Sequence, residues 1–216
     1  MAKHYRVPSA AVSGIVGCGG RVAGNTGGSL PRIGVHDTFA GPVATSTSAA
    51  TSLLAGALGA GQLLTTAATT PAIYAQPDIP RNLTVWADGT CTSVISFTGT
   101  DQFDAAITED ITCNGAAIVA GTKVFKTITA ISCAAYSDAA QTVSVGQGSI
   151  LGTSRKIVGC GIDGGVYTTA SGETTMVQET TRPVRAVTAD VHGVTFSTTL
   201  AATKTYELAY FSDEAR

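Results

Sequence analysis

The stretch from Ala75 to Val158 decides the fold, and its sequence is AQPDIPRNLTVWADGTCTSVISFTGTDQFDAAITEDITCNGAAIVAGTKVFKTITAISCAAYSDAAQTVSVGQGSILGTSRKIV. Apolar and polar residues alternate in short runs rich in β-branched side chains: Leu83 to Val85, Val94 to Phe97, Ile107 to Cys113, Val124 to Ile131 and Thr142 to Val145. Because side chains on a strand point alternately to opposite faces, this period of two predicts consecutive half-buried strands.

The breaks between these runs contain residues that favour turns: Ala87-Asp88-Gly89, Gly99-Thr100-Asp101, Asn114-Gly115, Ser137-Asp138 and Gly146-Gln147-Gly148. Short strands recurring at this spacing are typical of antiparallel all-β domains. The sequence therefore predicts an all-β fold, either an antiparallel β-sandwich or a small barrel.

The first part of the chain, Met1 to Asp37, differs from this block. It is rich in glycine, contains two prolines and has no sustained apolar period. This composition predicts an extended N-terminal arm. Ordering such a segment costs about 1–2 kcal/mol per residue in backbone entropy, so an arm is ordered only where it is tied to another surface. We expect residues 1–37 to contact a neighbouring subunit and residues 38–216 to form the β-sandwich domain.

Within that domain, less regular segments flank the core block of residues 75–158. Residues 38–74 are rich in Ala, Thr, Ser, Leu and Gly, and they predict strands and loops, with a short helical turn as the alternative. Residues 159–216 predict the closing strands, beginning with a hairpin around Ala170-Ser171-Gly172. In the last strand, alternation places three side chains on one face: Tyr206, Leu208 and Tyr210.

The composition is low in charge. Only 13% of the residues are charged, 44% are hydrophobic, and the formal net charge is −2. Such a surface suits a protein that partners cover in part, although a secreted bacterial β-protein has a similar composition. The basic residues are scattered and form no stripe that could follow a phosphate backbone, so we do not expect a nucleic acid partner.

A membrane segment is not expected either. The most apolar run, Leu53 to Leu64, has about a dozen residues and contains three glycines, whereas a spanning helix needs about 20 apolar residues. Met1 to Arg6 is followed by Gly, Ser and Pro instead of an apolar core. We therefore expect no cleaved export signal.

The five cysteines show no C-x-x-C spacing and are odd in number: Cys18, Cys91, Cys113, Cys133 and Cys160. This pattern indicates neither a zinc site nor a closed disulfide framework. Three of them, Cys91, Cys113 and Cys133, fall in or beside strand patterns, where we expect small buried thiols. The sequence predicts no metal site.

One glycine motif has the letters G-x-G-x-x-G of a dinucleotide site: Gly159, Gly161 and Gly164. A dinucleotide site also needs a helix N-terminus directly after the glycines, because its exposed amides hold the pyrophosphate. The residues that follow, Val166-Tyr167-Thr168, predict a strand instead. The sequence therefore predicts no cofactor and no cofactor-binding residue.

The three histidines, His4, His36 and His192, are widely separated in the chain. A metal or catalytic site built from them would need the fold to bring them together by coincidence. For His192, in the segment Asp190-Val191-His192-Gly193, we expect a turn residue that bonds nearby backbone.

Two pairs of acids, Asp101 with Asp104 and Glu109 with Asp110, offer carboxylates for acid–base chemistry. Their positions beside turns favour solvated acids over a catalytic pair, because acids are rarely buried unpaired. No catalytic residue is therefore predicted, and the chain is not expected to be an enzyme.

Two further features have ordinary structural interpretations. Asn82-Leu83-Thr84 is a formal glycosylation sequon, but it has little weight without an export signal. Trp86, at the end of a strand pattern, is expected to anchor the core or a subunit interface.

Six stretches share a style of strand and turn: 75–85 (AQPDIPRNLTV), 98–101 (TGTD), 107–112 (ITEDIT), 121–129 (GTKVFKTIT), 190–193 (DVHG) and 206–211 (YELAYF). They resemble the small β-rich virion proteins of tailed bacteriophages, and within that group the capsid decoration or cement proteins. The likeness covers about two-thirds of the chain, from Ala75 onward. It is a similarity in the style of strands and turns, without a diagnostic motif.

This resemblance implies a structural role in the virion. Trimers would bind the outer face of the head, between major capsid protein subunits, and reinforce the shell against internal DNA pressure. The protein would be made in the host cytoplasm and end on the capsid surface, with the major capsid protein and itself as partners. Two alternatives stay open: a tail tube, fibre or spike component, and a ligand-binding or enzymatic β-domain.

Overall fold

The structure is a computed structural model that describes residues 33–42, 44–45, 53–55, 63–65, 72–73, 75–87, 89–133, 142–157, 163–168, 176–178, 184–186, 192–196 and 199–212. These ranges contain fifteen strands. They contain no helix, and so none long and apolar enough to cross a membrane. The all-β prediction is confirmed.

The first eight strands precede or enter the core block: β1 (Ile33–Ala40), β2 (Leu54–Ala55), β3 (Leu63–Thr65), β4 (Ala72–Ile73), β5 (Arg81–Ala87), β6 (Val94–Thr100), β7 (Ala106–Thr112) and β8 (Val119–Phe125). The remaining seven complete the described chain: β9 (Thr127–Cys133), β10 (Val143–Gly152), β11 (Asp163–Thr168), β12 (Met176–Gln178), β13 (Val184–Ala186), β14 (Gly193–Thr195) and β15 (Lys204–Ser212).

These strands form four sheets, in which every pairing is antiparallel. Sheet I has the order β1-β15-β11-β12, sheet II the order β13-β14-β10-β5-β8, and sheet III the order β3-β9-β6-β7. Strands β2 and β4 form a separate two-stranded pair.

Sheets II and III pack face to face as a β-sandwich around the larger hydrophobic core. Sheet II contributes buried side chains from β5, β8 and β10, and sheet III contributes buried side chains from β6, β7 and β9. Phe97 and Phe125 meet edge to face in this core, with ring centroids 6.2 Å apart. The predicted antiparallel sandwich is therefore present in the described part of the chain.

A second core joins sheet I to the other end of sheet II. Phe39 on β1 and three side chains of β15, Tyr206, Leu208 and Tyr210, pack with Leu151 on β10. The prediction that those three residues of the last strand share one face is confirmed, because all three are buried. Strand β10 contributes to both cores, since Val143 and Val145 lie in the first one.

Two predictions within the core block are wrong: one missed a corner between two strands, and the other placed a turn inside a strand. The run from Val124 to Ile131 was predicted as one strand, but β8 ends at Phe125 and β9 begins at Thr127. The chain passes from sheet II to sheet III at Lys126, whose amide donates to the Thr100 carbonyl. This corner lets Phe125 and Ile128 both enter the same core.

The turn predicted at Gly146-Gln147-Gly148 is also wrong, because β10 continues through it to Gly152. Its register against β5 shifts between Gln147 and Leu151, so residues 148–150 lie opposite Asn82. The glycines serve a bulge within a strand instead of a turn between strands. By contrast, Asn114-Gly115 is a turn as predicted, with Gly115 at a φ of 58°.

The boundary predicted at Asp37 falls inside β1. This strand begins at Ile33 and pairs along its whole length with β15, from Ile33 opposite Ser212 to Ala40 opposite Thr205. Residues 33–37 therefore belong to sheet I. The rest of the predicted arm, residues 1–32, lies outside the described residues, as do the turns at Ser137-Asp138 and around Ala170-Ser171-Gly172.

Candidate functional site

The two acids predicted as one possible pair, Asp101 and Asp104, serve separate structural roles. Asp101 lies after β6, and its Oδ1 accepts hydrogen bonds from the amides of Phe103 (2.8 Å) and Ala105 (2.9 Å). Asp104 has a positive φ of 66° and accepts a 2.7 Å bond from Lys126 Nζ. The pair therefore shapes the β6–β7 turn and does not converge on a common point.

Glu109 and Asp110 are neighbours on β7 and point to opposite faces, so they do not form a carboxylate pair either. Glu109 reaches across to β8, where its Oε1 accepts bonds from the amides of Thr122 (2.6 Å) and Lys123 (3.1 Å). Strand β8 bulges here, because residues 121–123 lie opposite the single residue Leu83 of β5. The Glu109 carboxylate thus satisfies amides that the bulge removes from the β-ladder.

Asn82 of β5 lies between the bulges of its two neighbours and bonds to both. Its Nδ2 donates to the Gly121 carbonyl on β8 (2.7 Å), and its Oδ1 accepts from the Ile150 amide on β10 (2.8 Å). Asn82 is only 1% exposed. The amide of this formal glycosylation sequon is therefore engaged inside the fold and is not available for modification.

Arg81, the residue before Asn82, is completely buried at 0% exposure. Its Nε donates to the Gly148 carbonyl (2.8 Å), as does Nη2, and its Nη1 donates to Asp78 Oδ1 at 3.1 Å. Loss of hydration on burial lowers the pKa of Arg81, while the Asp78 carboxylate acts in the opposite direction. The guanidinium holds the bulge of β10 in place from within the sandwich.

A third polar cluster lies where sheet I meets the segment that follows β10. Asp37 of β1, at 8% exposure, accepts bonds from the Ser154 amide (2.8 Å), the Ser154 hydroxyl and the Tyr210 hydroxyl (3.0 Å). The Tyr210 oxygen accepts in turn from the Arg155 amide at 3.0 Å. Burial is the main reason that the pKa of Tyr210 is raised to about 12.

His192 holds the same segment from the opposite side. Its backbone carbonyl accepts from the Thr153 amide (3.0 Å) and from Gln102 Nε2 (2.7 Å), and its Nδ1 accepts from the Ile157 amide (3.2 Å). The ring also contacts Phe103 edge to face, with centroids 5.8 Å apart. His192 bonds to backbone, as predicted, but its partners at Thr153 and Ile157 are more than 30 residues away in the chain, and the rest of the predicted turn, residues 190–191, lies outside the described residues. His36 lies elsewhere, on β1, bonded to Glu207 at 3.2 Å, and His4 is outside the described residues.

We define residues 153–157, together with the Asp37, Tyr210 and His192 side chains that bind them, as the sheet junction. This junction ties β1 and β15 of sheet I to β10 and β14 of sheet II. Through Gln102 and Phe103 it also contacts the turn between two strands of sheet III. A carboxylate, three hydroxyls and an imidazole are present, but each is engaged with protein groups of the fold. The arrangement is that of a structural connection.

Three cysteines, Cys91, Cys113 and Cys133, are buried, as predicted. Burial raises the pKa of Cys113 to about 12 and that of Cys133 to about 11, and the nearby Cys91 thiol acts in the same direction. Thiols with a raised pKa and no access to solvent are poor nucleophiles. Cys18 and Cys160 lie outside the described residues. Trp86 is buried on β5 at 8% exposure, which agrees with a core anchor.

A shallow groove of about 330 Å³ lies at the seam between β7 and β8, lined by Asp101, Ala105, Ala106, Ile107, Thr108, Lys123 and Val124. Its two charged side chains already bond to the protein, because Asp101 caps the turn and Lys123 Nζ donates to the Thr108 carbonyl at 2.7 Å.

Among the residues that the structure describes, no group of three or more His, Cys, Asp or Glu is arranged to hold a metal ion. Of the dinucleotide-like glycines, Gly164 lies in strand β11, and Gly159 and Gly161 are outside the described ranges.

The polar clusters around Arg81, Asn82 and Asp37 were not predicted from the sequence. A signal for the clusters around Arg81 and Asn82 was present in the sequence. These two residues open a strand that is otherwise apolar on its inner face, and the partner strand has glycines at positions 146, 148 and 152. No pattern along the chain connects Asp37 to Ser154 and Tyr210.

Comparison with known proteins found no relative. No protein-family model, no curated protein and no solved structure matches this chain significantly.

Proposed function

We propose that this protein is a structural component of a tailed-bacteriophage virion, namely a decoration protein of the head. It binds the outer surface of the capsid between major capsid protein subunits and stabilises the shell. Residues 75–85, 107–112 and 121–129 resemble such proteins. A second support is the outer face of sheet III, which is the face opposite to the first hydrophobic core.

That face is the observation that carries the proposal. On strands β9, β6 and β7, cross-strand partners on this face form rows of small side chains: Ala130, Thr98 and Thr108; Ser132, Ser96 and Asp110; Thr127, Thr100 and Ala106; and Val94 with Thr112. Among these residues Asp110 is the one with a charge. Val94, Thr98, Thr108 and Thr112 are exposed, so the face presents methyl and hydroxyl groups to solvent.

A face of this composition is suited to docking on another protein. Covering threonine and alanine removes apolar methyl surface from water without the cost of dehydrating charges, and charged residues are depleted at the centres of protein interfaces. The hydroxyl groups can exchange water for partners across the interface. We therefore assign the outer face of sheet III as the surface that contacts the major capsid protein.

The interior of the protein supports a mechanical role. Both bulges beside β5 are held by buried side chains, and the sheet junction ties the two cores together. The bonds at the bulges resist sliding of the strands within sheet II, and those of the sheet junction resist movement of sheet I against sheet II, because each movement would leave a buried polar group unpaired. A rigid block of this kind can transmit load between capsid subunits.

The segment before β1 supplies the second part of the proposed attachment. Residues 1–32 precede β1, which lies at the edge of sheet I in the described part of the chain. At roughly 3.3 Å per residue, they are long enough to reach a neighbouring subunit when extended. We propose that they contact an adjacent copy within a trimer or the capsid beneath it. Repetition of modest contacts over a symmetric lattice would stabilise the shell through avidity.

Co-sedimentation with purified heads that lack the protein tests this function. The wild type is expected to bind saturably and to raise the temperature at which the heads release DNA. Thr98→Lys, which places a charge at the centre of the proposed face, should weaken binding at least tenfold. Thr38→Lys is the matched control, because Thr38 is exposed on sheet I, and it should bind like the wild type.

Two outcomes would change the proposed function or the proposed binding surface. A protein that ignores heads but assembles by itself into rings, tubes or fibres would belong to the tail. A protein that binds heads equally well with Lys at position 98 would attach through another surface, and the assignment of sheet III would be wrong while the decoration role would stand.

A further inference from the structure

The sheet junction contains a histidine whose protonation state matters for the fold. The Ile157 amide is a donor and can only point its hydrogen at an unprotonated ring nitrogen, so Nδ1 of His192 must be an acceptor at 3.2 Å. The neutral imidazole with its proton on Nε2 satisfies this requirement. A protonated imidazole carries hydrogen on both nitrogens and would place two N–H groups against each other.

Ile157 has little freedom to adapt to such a change. Its side chain is 1% exposed and packs in the second core with Leu151 and Val194. The backbone carbonyl of His192 is fixed as well, because the Thr153 amide, the Thr153 hydroxyl and Gln102 all donate to it. Ring rotation away from Ile157 would also disturb the edge-to-face contact with Phe103.

Among the residues that the structure describes, several charged groups lie on the elements that pack against His192. The 153–157 segment itself carries Arg155 and Lys156. On the facing β6–β7 turn, the Asp101 carboxylate is engaged with the Phe103 and Ala105 amides, and Asp104 is bonded to Lys126.

The remaining titratable groups of the junction lie on its sheet I side. Asp37 accepts from the amide and the hydroxyl of Ser154, and Tyr210 accepts from the Arg155 amide. Asp37 and Tyr210 therefore bond to the segment 153–157 and not to the imidazole of His192.

We infer that His192 is an acid-sensitive latch: protonation of its imidazole releases the Ile157 amide and loosens the segment 153–157 that joins sheets I and II. Imidazole is the side chain that ordinarily changes charge between about pH 5 and 8. The latch is closed while His192 is neutral and opens as the pH falls through this range. This device belongs to the fold of the protein and does not depend on the function proposed above.

Hydrogen exchange of the full-length protein, corrected for the intrinsic effect of pH, tests this latch at pH 7.5 and pH 5.0. The protection of the Ile157 amide should fall by about tenfold per pH unit once the imidazole of the open state is protonated. The Cys113 amide, which donates to the Ser93 carbonyl in the first core at 2.9 Å, should keep its protection.

Two variants separate the latch from general acid effects. His192→Asn keeps an acceptor near the position of Nδ1 but cannot be protonated, so its Ile157 amide should show the same protection at both pH values. His36→Asn removes an exposed histidine of β1 and should retain the full pH response of the wild type. If His192→Asn fails to fold, the proton resonances of the His192 ring in the wild type give the same information, because they should titrate together with Ile157 exchange.

Two results would overturn the inference. One is an Ile157 amide in the wild type that is equally protected at both pH values. The other is a loss of protection that is the same in the wild type and in His192→Asn.

Discussion

The side chain of Asn82 on β5 occupies the space beside Gly148 on β10 in which a side chain at position 148 would lie. The same glycine offers its carbonyl to the buried guanidinium of Arg81. The absence of a Cβ at Gly148 therefore allows two neighbouring polar side chains of β5 to reach the bulged backbone of β10. This close approach is what stabilises the long strand that contributes to both cores.

We expect Gly148→Ala to lower the free energy of unfolding by about 1–3 kcal/mol, the usual cost of forcing an extra methyl group into a packed interior. The new Cβ would collide with the Asn82 amide and disturb its bonds to Gly121 and Ile150. Chemical denaturation measures the effect. Ser149→Ala, at the adjacent half-buried position, is the control and should cost less than half as much. Equal costs for the two variants would contradict the packing argument.

Glu109→Ala should loosen the seam between sheets II and III. It removes the acceptor of the Thr122 and Lys123 amides and should cost about 1–3 kcal/mol, because the two donors lose their partner. Glu109→Gln keeps an oxygen acceptor and should recover part of the loss.

The adjacent exposed acid on the same strand provides the control for this experiment. Asp110→Ala should change the free energy of unfolding by no more than about 0.5 kcal/mol. Hydrogen exchange at Thr122 and Lys123 localises the effect. Unchanged exchange there in Glu109→Ala would show that the bulge is held by other contacts.

Tyr210 should make the protein sensitive to alkali. Burial raises the pKa of Tyr210 from 10.0 to about 12, so the folded protein keeps its hydroxyl proton at a pH where the unfolded chain loses it. The resulting stability is complete below about pH 10 and is lost as the pH rises towards 12. Cys113 and Cys133 act in the same direction, because burial also raises the pKa of each thiol.

Tyr210→Phe isolates this contribution. At pH 7 the variant should be less stable by about 1–3 kcal/mol, because Asp37 and the Arg155 amide lose the hydroxyl. The difference from the wild type should shrink by roughly 2 kcal/mol between pH 9 and pH 12. Denaturation curves at these two pH values measure it, and a constant difference would mean that the Tyr210 hydroxyl titrates alike in the folded and unfolded chains.

Two truncations place the boundary between the arm and the fold. Deletion of residues 1–32 leaves β1 complete, and we expect the β-domain to keep its melting temperature while attachment to the head is weakened. Deletion of residues 1–37 also removes Asp37, the acceptor of Ser154 and Tyr210, together with five of the eight residue pairs between β1 and β15. This second deletion should cost about 3 kcal/mol or more, which corresponds to roughly 6–12 °C for a chain of this size. Equal melting temperatures for the two deletions would place the arm boundary where the sequence predicted it.

Strand periodicity was a good guide wherever one strand has one buried face. The alternation in Val94 to Phe97 and in Tyr206 to Tyr210 predicted strands whose inward residues are indeed buried. It was misleading between Val124 and Ile131, because the period continues across the corner at Lys126. A two-residue period predicts which side chains lie on the same face of a strand. It does not predict whether the chain stays in the same sheet.

Glycine was the residue type whose role was hardest to predict from the sequence. Gly146 and Gly148 satisfy the composition of a turn, yet they lie inside β10, where Gly148 is packed against Asn82. Whether glycine marks a turn or a close approach depends on what lies beside it in space. For Gly148 that neighbour is Asn82 on β5, which is more than 60 residues away in the chain.

The sequence by itself determined the class of the fold, the burial of the inward strand residues and of three thiols, and the low charge of the surface. These properties follow from local alternation and composition, which act over a few residues. Only the tertiary structure decided which polar side chains serve which backbone groups: Asn82 between two bulges, Glu109 across the seam, and Asp37 with Tyr210 and His192 at the sheet junction. A buried hydrogen bond forms wherever the packed strands bring an unpaired group within about 3 Å, and this proximity is set by the pairing of distant segments.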